Sequence, residues 1–407
     1  MPHSSSSTSS SDLTGAAPGA WLRVTALAAA GATAVGVVSG AAGLGTAHRQ
    51  LAALAVPPLV VLVVAAWFAH RRLFPTAFAA LVLFGAAALL TSEAVHVTAA
   101  AAAFAASLVA AAATFRGSPV PAAALRDYVT LTKPRIMSLL LLTGLCGMII
   151  GARGLPPAWL VAVTMLGLAL ACGGASALNH FLDRDIDRLM GERTRARPVA
   201  AGRMPPSRAL EFGLALSAFS FVLLASAVNV LTATLALAGN LFYVVVYTRL
   251  LKRWTAQNIV IGGAAGAVPP LVGWAAATGN LTVPALWLFL IVFFWTPPHF
   301  WALAVLLRDK YAAAHIPMLP VVRGVAATTR QIVAYSFVLV AVSTAPFVAG
   351  TFDVGYLVVA LLLGAVLLWL ALQLRRESTP RRAAVLFHYS LLYLALLFVA
   401  MALDVAL

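Results

Sequence analysis

From Trp159 to Leu178 the chain runs without a single charged side chain, and runs of that kind recur along its length. About 20 apolar residues in a helix span the hydrocarbon of a bilayer, and lipid admits only backbones whose hydrogen bonds are satisfied internally. Taking breaks at charges, proline and glycine, the sequence divides into thirteen candidate helices. Four come early, at about 21–44, 51–69, 74–91 and 95–115. Nine follow, at about 136–152, 158–180, 209–227, 230–248, 256–278, 282–306, 330–350, 354–373 and 383–405, with Asn229 at the turn between the third and fourth. Composition agrees: 62% of residues are hydrophobic and 10% charged, against about 25% charged in a soluble domain. The expected fold is all-α and integral to a membrane.

Arg116, Gly117, Pro119 and Pro121 break the apolar pattern, and a polar segment from Arg126 to Arg135 follows. The expected organisation is a disordered Ser-rich tail over 1–20, a four-helix transmembrane domain over 21–117 and a nine-helix domain over 118–407. No basic cluster precedes the first apolar run, so the tail resembles neither a signal nor a transit peptide. Cys146 and Cys172 sit inside apolar runs and read as small buried hydrophobes, not as a disulfide or zinc framework.

The net charge of +15 does not point to nucleic acid, because no basic domain with stacking aromatics is present. It points to topology. In the nine-helix part, one set of helix ends carries Lys133, Arg135, seven arginines between Arg184 and Arg208, Arg249, Lys252, Arg253, Arg308, Lys310 and more; the opposite set carries Arg153. Excess Lys and Arg mark the cytoplasmic side.

The densest charge lies in NHFLDRDIDRLMGERTRARP, Asn179 to Pro198, at the cytoplasmic end of the second of the nine helices. Asn179, Asp183 and Asp187 are four apart and share a helical face. Three oxygen-bearing side chains there suit Mg²⁺, which prefers oxygen ligands and bridges to substrate phosphates. Arg193 and Arg197 follow at one-turn spacing, and guanidinium forks match phosphate oxygens. Asp185 is turned off that face by its spacing. A second constellation, WTPPHFWALAVLLRDKYAAAHIPMLP (Trp295 to Pro320), lies at the same end. Here Pro297 and Pro298 are expected to interrupt the helix, His299 falls within the membrane, and Asp309 and Tyr311 lie near the exit. Between the two, YTRLLKRW supplies Lys252 and Arg253.

These motifs resemble the UbiA-type intramembrane prenyltransferases. LTKPRIMSLLLLTGLCGM (Leu131 to Met148), TAQNIVIGGAAGAVPPLVGWAA, WTPPHFWALA and IPMLPVV resemble more narrowly the heme-farnesylating branch, the protoheme IX farnesyltransferases or heme O synthases, over about 121–407. The resemblance implies a nine-helix bundle around a lipid-facing cavity in a bacterial cell membrane, and Mg²⁺ as the metal. The implied reaction transfers farnesyl from farnesyl diphosphate to a vinyl group of heme b, with water added and diphosphate released. It nominates Asn179, Asp183, Asp187 and Asp309 as metal ligands. Lys133, Arg135, Arg193, Arg197, Lys252 and Arg253 become diphosphate contacts, and His299 a catalytic or heme-facing residue. Phe181, Tyr243, Tyr247, Trp295 and Phe300 offer faces to an allylic cation. Related sequences carry two consecutive acids before the tyrosine of the second motif; here that place reads Asp309-Lys310-Tyr311, which leaves one acid.

The early helices resemble one four-helix half of heme A synthase, with His48 and His96 as the counterpart of its heme-binding pair. Thr46-Ala47 stands where an acid is usual, so a heme-binding domain and a purely structural one both stay open, as does heme A synthase as a partner. Two other readings compete for the whole chain: a UbiA-type enzyme prenylating an aromatic quinone precursor, and a non-catalytic heme-binding or transport protein. WTPPHF and IPMLP speak against the first. The clustering of acids at helix ends, instead of along a membrane pathway, speaks against the second.

Overall fold

Helix dominates because almost every segment is long, apolar and free of strand alternation. The computed structural model describes residues 20–41, 55–69, 73–89, 93–114 and 124–407. The chain divides into two units, Met1–Ala122 and Ala123–Leu407.

The first unit holds four helices, α1 (Ala20–Ala41), α2 (Val56–Ala69), α3 (Phe74–Leu89) and α4 (Glu93–Ala113). Alanines at 26, 29, 66, 77, 80 and 110 let them approach closely around Leu22, Leu59 and Leu62. Thr33 and Ser107 meet in this interior with hydroxyl oxygens 2.8 Å apart, each satisfied also by a carbonyl of its own helix. The expected Ser-rich tail, apart from Ala20, lies outside the described residues. So do His48 and the side chain of His96.

The second unit opens on a short helix, α5 (Leu125–Thr132), where the sequence pattern showed only a polar segment. It is amphipathic: Asp127 and Leu131 are buried while Leu125 and Val129 are exposed. The spanning helices follow: α6 (Pro134–Ala152), α7 (Ala158–Leu182), α10 (Pro206–Ala227), α11 (Val230–Leu241), α12 (Asn258–Gly266) continued by α13 (Val268–Thr278), α14 (Val283–Leu306), α17 (Gly324–Val348), α18 (Val354–Arg376) and α19 (Pro380–Ala406). Short helices occupy the loops: α8 (Arg184–Leu189), α9 (Glu192–Arg195), α15 (Arg308–Ala313) and α16 (Leu319–Val322). Among the described residues, nine helices are long and apolar enough to cross a membrane.

Local chemistry sets the ends. Proline opens α6, α10 and α19, where its missing N–H costs nothing. Asn229 occupies the expected turn and caps α11, its side chain accepting from Thr232 N at 2.8 Å. Gly279 closes α13 in the left-handed conformation.

Two local expectations fail. Pro297 and Pro298 do not interrupt their helix; α14 runs through both. The absent N–H groups are tolerated where packing holds the backbone on every side: Trp295, Thr296, His299 and Trp301 around them are all buried. Second, α11 does not end as an α-helix but passes into a π-helical segment, Phe242–Leu251, and a last turn, Lys252–Trp254. Such widened turns are rare and concentrate at functional sites.

Glycine sets the closest contacts. A Cβ on Gly273 would overlap the carbonyl oxygen of Gly144, and one on Gly147 that of Pro270. These glycines bring α6 and α13 backbone to backbone. We expect Gly273→Ala to lower stability by roughly 1–3 kcal/mol or more, the range for overpacking. Gly355→Ala, where a Cβ meets open space, should leave it unchanged. Thermal unfolding of the purified variants in detergent checks the pair.

Candidate functional site

The last turn of α7 carries Asn179, and the chain then bends at Asp183 before α8 resumes. The four-residue spacing survives the bend: Asp183 N bonds Asn179 O, and Asp187 N bonds Asp183 O, both at 2.8 Å. Asn179, Asp183 and Asp187 are all buried, at 3%, 0% and 1% exposure. Polar and charged groups at such burial need partners, and each has one. Lys252 donates to Asp183 Oδ2, and Asn179 Nδ2 donates to the same oxygen at 2.7 Å. Arg197 donates to Asp187 Oδ1 at 2.6 Å. Lys133 donates to Asn179 Oδ1 at 2.9 Å.

The other oxygens are unmatched. Asp183 Oδ1 and Asp187 Oδ2 are buried with no hydrogen-bond partner. Leaving a buried acceptor unsatisfied costs about 1–3 kcal/mol. Burial also holds the Asp187 carboxyl above its ordinary range, against the pull of Arg197. Burial and the neighbouring charges of Arg197 and Lys252 push the Lys133 ammonium down to about 7. Lys133 is further marked by its backbone. At φ 51° and ψ 60° it is left-handed, immediately before Pro134, where steric contact with the ring favours extended backbone. Strain of this kind gathers at functional sites.

The expected site residues therefore separate. Asn179, Asp183, Asp187, Lys133, Arg197 and Lys252 come together. Asp185 points away, exposed, as its spacing implied, and it draws Arg253 with it: the guanidinium makes bonds of 2.8 and 2.9 Å to its carboxylate and 3.0 Å to Leu182 O. That pairing holds the Asp185 carboxyl down at about 2. Arg253 is thus already engaged. Arg193 and Arg135 are exposed, with no ion pair to a described residue. Asp309 is exposed on α15. Among the described residues no three His, Cys, Asp or Glu side chains group to hold a metal. The second motif reaches the first through Lys310, whose side chain lies over Gly191. Tyr311 beside it is buried, its phenol pushed up to about 12, within electrostatic range of Asp183, Lys252 and Arg197.

Some members of the site were not visible in the sequence. Thr248, buried in the π-helical segment, receives Asn179 Nδ2 at 3.3 Å. Arg203 bonds buried Asp127 of α5 at 3.1 and 3.2 Å and Ala196 O at 3.0 Å, which fastens the loop carrying Arg197. Both ring nitrogens of His180 are buried and unpartnered. Of the expected aromatic faces, Tyr243 and Tyr247 lie beside each other, centroids 5.5 Å apart, on the π-helical segment that leads into Lys252. Phe181 lies under Arg184. Trp295 and Phe300 flank His299.

A buried acid cluster ringed by cations thus lies at one end of a nine-span helical bundle. The chain belongs to the UbiA prenyltransferase family, whose pattern matches residues 140–399. It is an integral membrane prenyltransferase. Within the family it is 54% identical over 282 residues to the protoheme IX farnesyltransferase of Symbiobacterium thermophilum, a match covering 69% of this chain and 94% of that protein. It is 53% identical over 280 residues to the protoheme IX farnesyltransferase of a Roseiflexus species, covering 69% of this chain and 52% of that one. Solved structures share the fold. A digeranylgeranylglyceryl phosphate synthase superposes with a TM-score of 0.59 at 17% identity, over 69% of this chain and 98% of its own. A UbiA homologue from Archaeoglobus fulgidus bound to GPP and Mg²⁺ gives 0.53 at 17% identity, over 68% and 99%.

Asp183→Asn removes charge from a buried acid with one free oxygen, whereas Asp185→Asn breaks an exposed pair. We expect the first to lower prenyl transfer by at least about a hundredfold and the second by less than about tenfold. Initial rates at matched protein levels in membranes check this.

Proposed function

We propose that the chain transfers the farnesyl group of farnesyl diphosphate to a vinyl group of heme b, with addition of water, giving heme O and diphosphate. The observation that carries the reading is the pair of unpartnered carboxylate oxygens, Asp183 Oδ1 and Asp187 Oδ2, within the ring of Lys133, Arg197 and Lys252. The named relatives at about 50% identity supply the choice of farnesyl and heme.

The donor set fits Mg²⁺: hard oxygens, two of them anionic, left unsatisfied by the protein itself. Asp183, Asp187 and the amide oxygen of Asn179 are the residues that would hold it, and Asp309 is the further acid that the second loop can add. When bound, the ion supplies positive charge to the departing diphosphate. The protein supplies the rest. Lys133, Lys252 and Arg197 stabilise negative charge as it develops on the leaving group. Arg193 and Arg135, exposed at the same mouth, are free to add to that field, as is Arg253 on release from Asp185. Tyr243 and Tyr247 present π-faces to the allylic cation. The apolar interior around α14 and α19 keeps water from that cation until the vinyl carbon has attacked.

His299 has a fixed orientation. Its ring lies between Trp295 and Phe387, at centroid distances of 4.3 and 4.6 Å. Nδ1 is 2.7 Å from Ser390 Oγ, and Ser390 in turn donates to Phe387 O at 2.7 Å. Ser390 Oγ occupies Nδ1, which leaves Nε2 as the ring nitrogen with no protein partner among the described residues. A bare imidazole nitrogen is suited to heme iron, and we assign His299 to the heme-facing wall. The charge asymmetry supports a cytoplasmic position for the Asp-rich mouth, in what the named relatives suggest is a bacterial cell membrane. Heme A synthase is the partner that the resemblance of the first unit nominates.

Incubation of the purified protein with heme b, farnesyl diphosphate and Mg²⁺, with products followed by mass, tests the reading: heme O is expected, and its absence overturns the assignment. We further expect His299→Ala to weaken heme b binding, read from the Soret band, by about tenfold while leaving farnesyl diphosphate affinity within about twofold.

A further inference from the structure

The end of the bundle opposite the Asp-rich mouth holds a cavity of about 220 Å³. Its wall is assembled from helix ends: Gly151 and Arg153 at the close of α6, Trp274 in α13, Thr282 at the start of α14, and Thr351 between α17 and α18. Three observations make it more than a gap in the packing. Arg153, an exposed residue, is the one Lys or Arg that the sequence places at this end, where Asp353 and Asp404 are the acids, and among the described residues its guanidinium makes no ion pair or hydrogen bond. Its backbone is left-handed, φ 51°, at a helix C-terminus where glycine or asparagine is the usual occupant. The remaining polar groups are unengaged as well. Thr282 stands at an N-cap without capping it, and the indole N–H of Trp274, a residue 7% exposed, has no partner.

An isolated cation, hydroxyls and an indole donor around one small cavity suit a single anionic group with several acceptor oxygens. The volume lies below the roughly 300–1,000 Å³ of pockets that enclose whole ligands, so a head group fits and a porphyrin or an isoprenoid chain does not. At the rim of a bilayer the abundant anion of that size is the lipid phosphate. We propose that this cavity binds the phosphate of a membrane-lipid headgroup, with Arg153 as the recognising cation and Thr282 and Thr351 as hydrogen-bond donors. The site is separate from prenyl transfer and independent of which acceptor the enzyme prenylates.

The test uses the full-length protein, delipidated in neutral detergent, with its melting temperature followed as ligand is added. Phosphatidylglycerol is expected to raise the midpoint in wild type, while a diacylglycerol of the same chains is not. In Arg153→Gln the half-saturating lipid concentration rises about tenfold, the loss of one charge-assisted contact, and Arg153→Lys recovers part of it. Thr351→Val gives a smaller loss and serves if Arg153→Gln fails to fold. Arg376→Gln, an exposed cation at the other end, keeps the wild-type response. An Arg153→Gln response equal to wild type overturns the proposal, as does an equal loss in Arg376→Gln. Inorganic phosphate alone reproducing the full effect overturns the lipid as its source.

Discussion

Carboxylates at the edge of a bilayer are tolerated only when something answers their charge, and here the answer is incomplete by design of the donor set. Asp183 and Asp187 each use one oxygen on a protein cation and leave the other buried without a partner. Much of the architecture at this end of the bundle can be traced to that arrangement. Lys252 reaches Asp183 from a helix widened into π geometry. Arg197 reaches Asp187 from a loop that Arg203 fastens to Asp127. Lys133 reaches Asn179 from a left-handed joint between α5 and α6. Three separate segments bring cations to one short stretch of α7 and α8.

Membrane solvent explains how the helices that carry these segments are brought together. The bundle gains little from hydrophobic exclusion between helices, since lipid is as apolar as the side chains, so close approach has to come from shape. Gly144, Gly147 and Gly273 bring α6 onto α13, while Gly174 and Gly213 bring α7 onto α10. The acid-bearing end of α7 is therefore positioned by backbone contact lower in the bundle.

Much of this was legible in the sequence, for reasons that differ by feature. Span positions followed from length and apolarity, which the bilayer enforces. The shared face of Asn179, Asp183 and Asp187 followed from helical period, and the outward turn of Asp185 from the same period. Pairings across distant segments were not legible. Nothing local marks Arg203 as the partner of Asp127, or Arg253 as engaged with Asp185 instead of open to phosphate. The π-helical segment was missed because its residues, FYVVVYTRLL, read as an ordinary apolar helix. The continuity of α14 through Pro297 and Pro298 was missed because proline rules describe an isolated helix, whereas here neighbours hold the backbone. The histidines of the early helices stay an expectation, since His48 and the side chain of His96 fall outside the described residues.

The central claim is that the free oxygens of Asp183 and Asp187 hold the metal that receives the diphosphate. Anomalous diffraction from crystals grown with Mn²⁺ and a non-hydrolysable farnesyl diphosphate analogue tests it most directly. The account predicts anomalous density in contact with both carboxylates and with diphosphate oxygens. Density at a different set of residues, or ordered diphosphate with no metal beside Asp183 and Asp187, would contradict it.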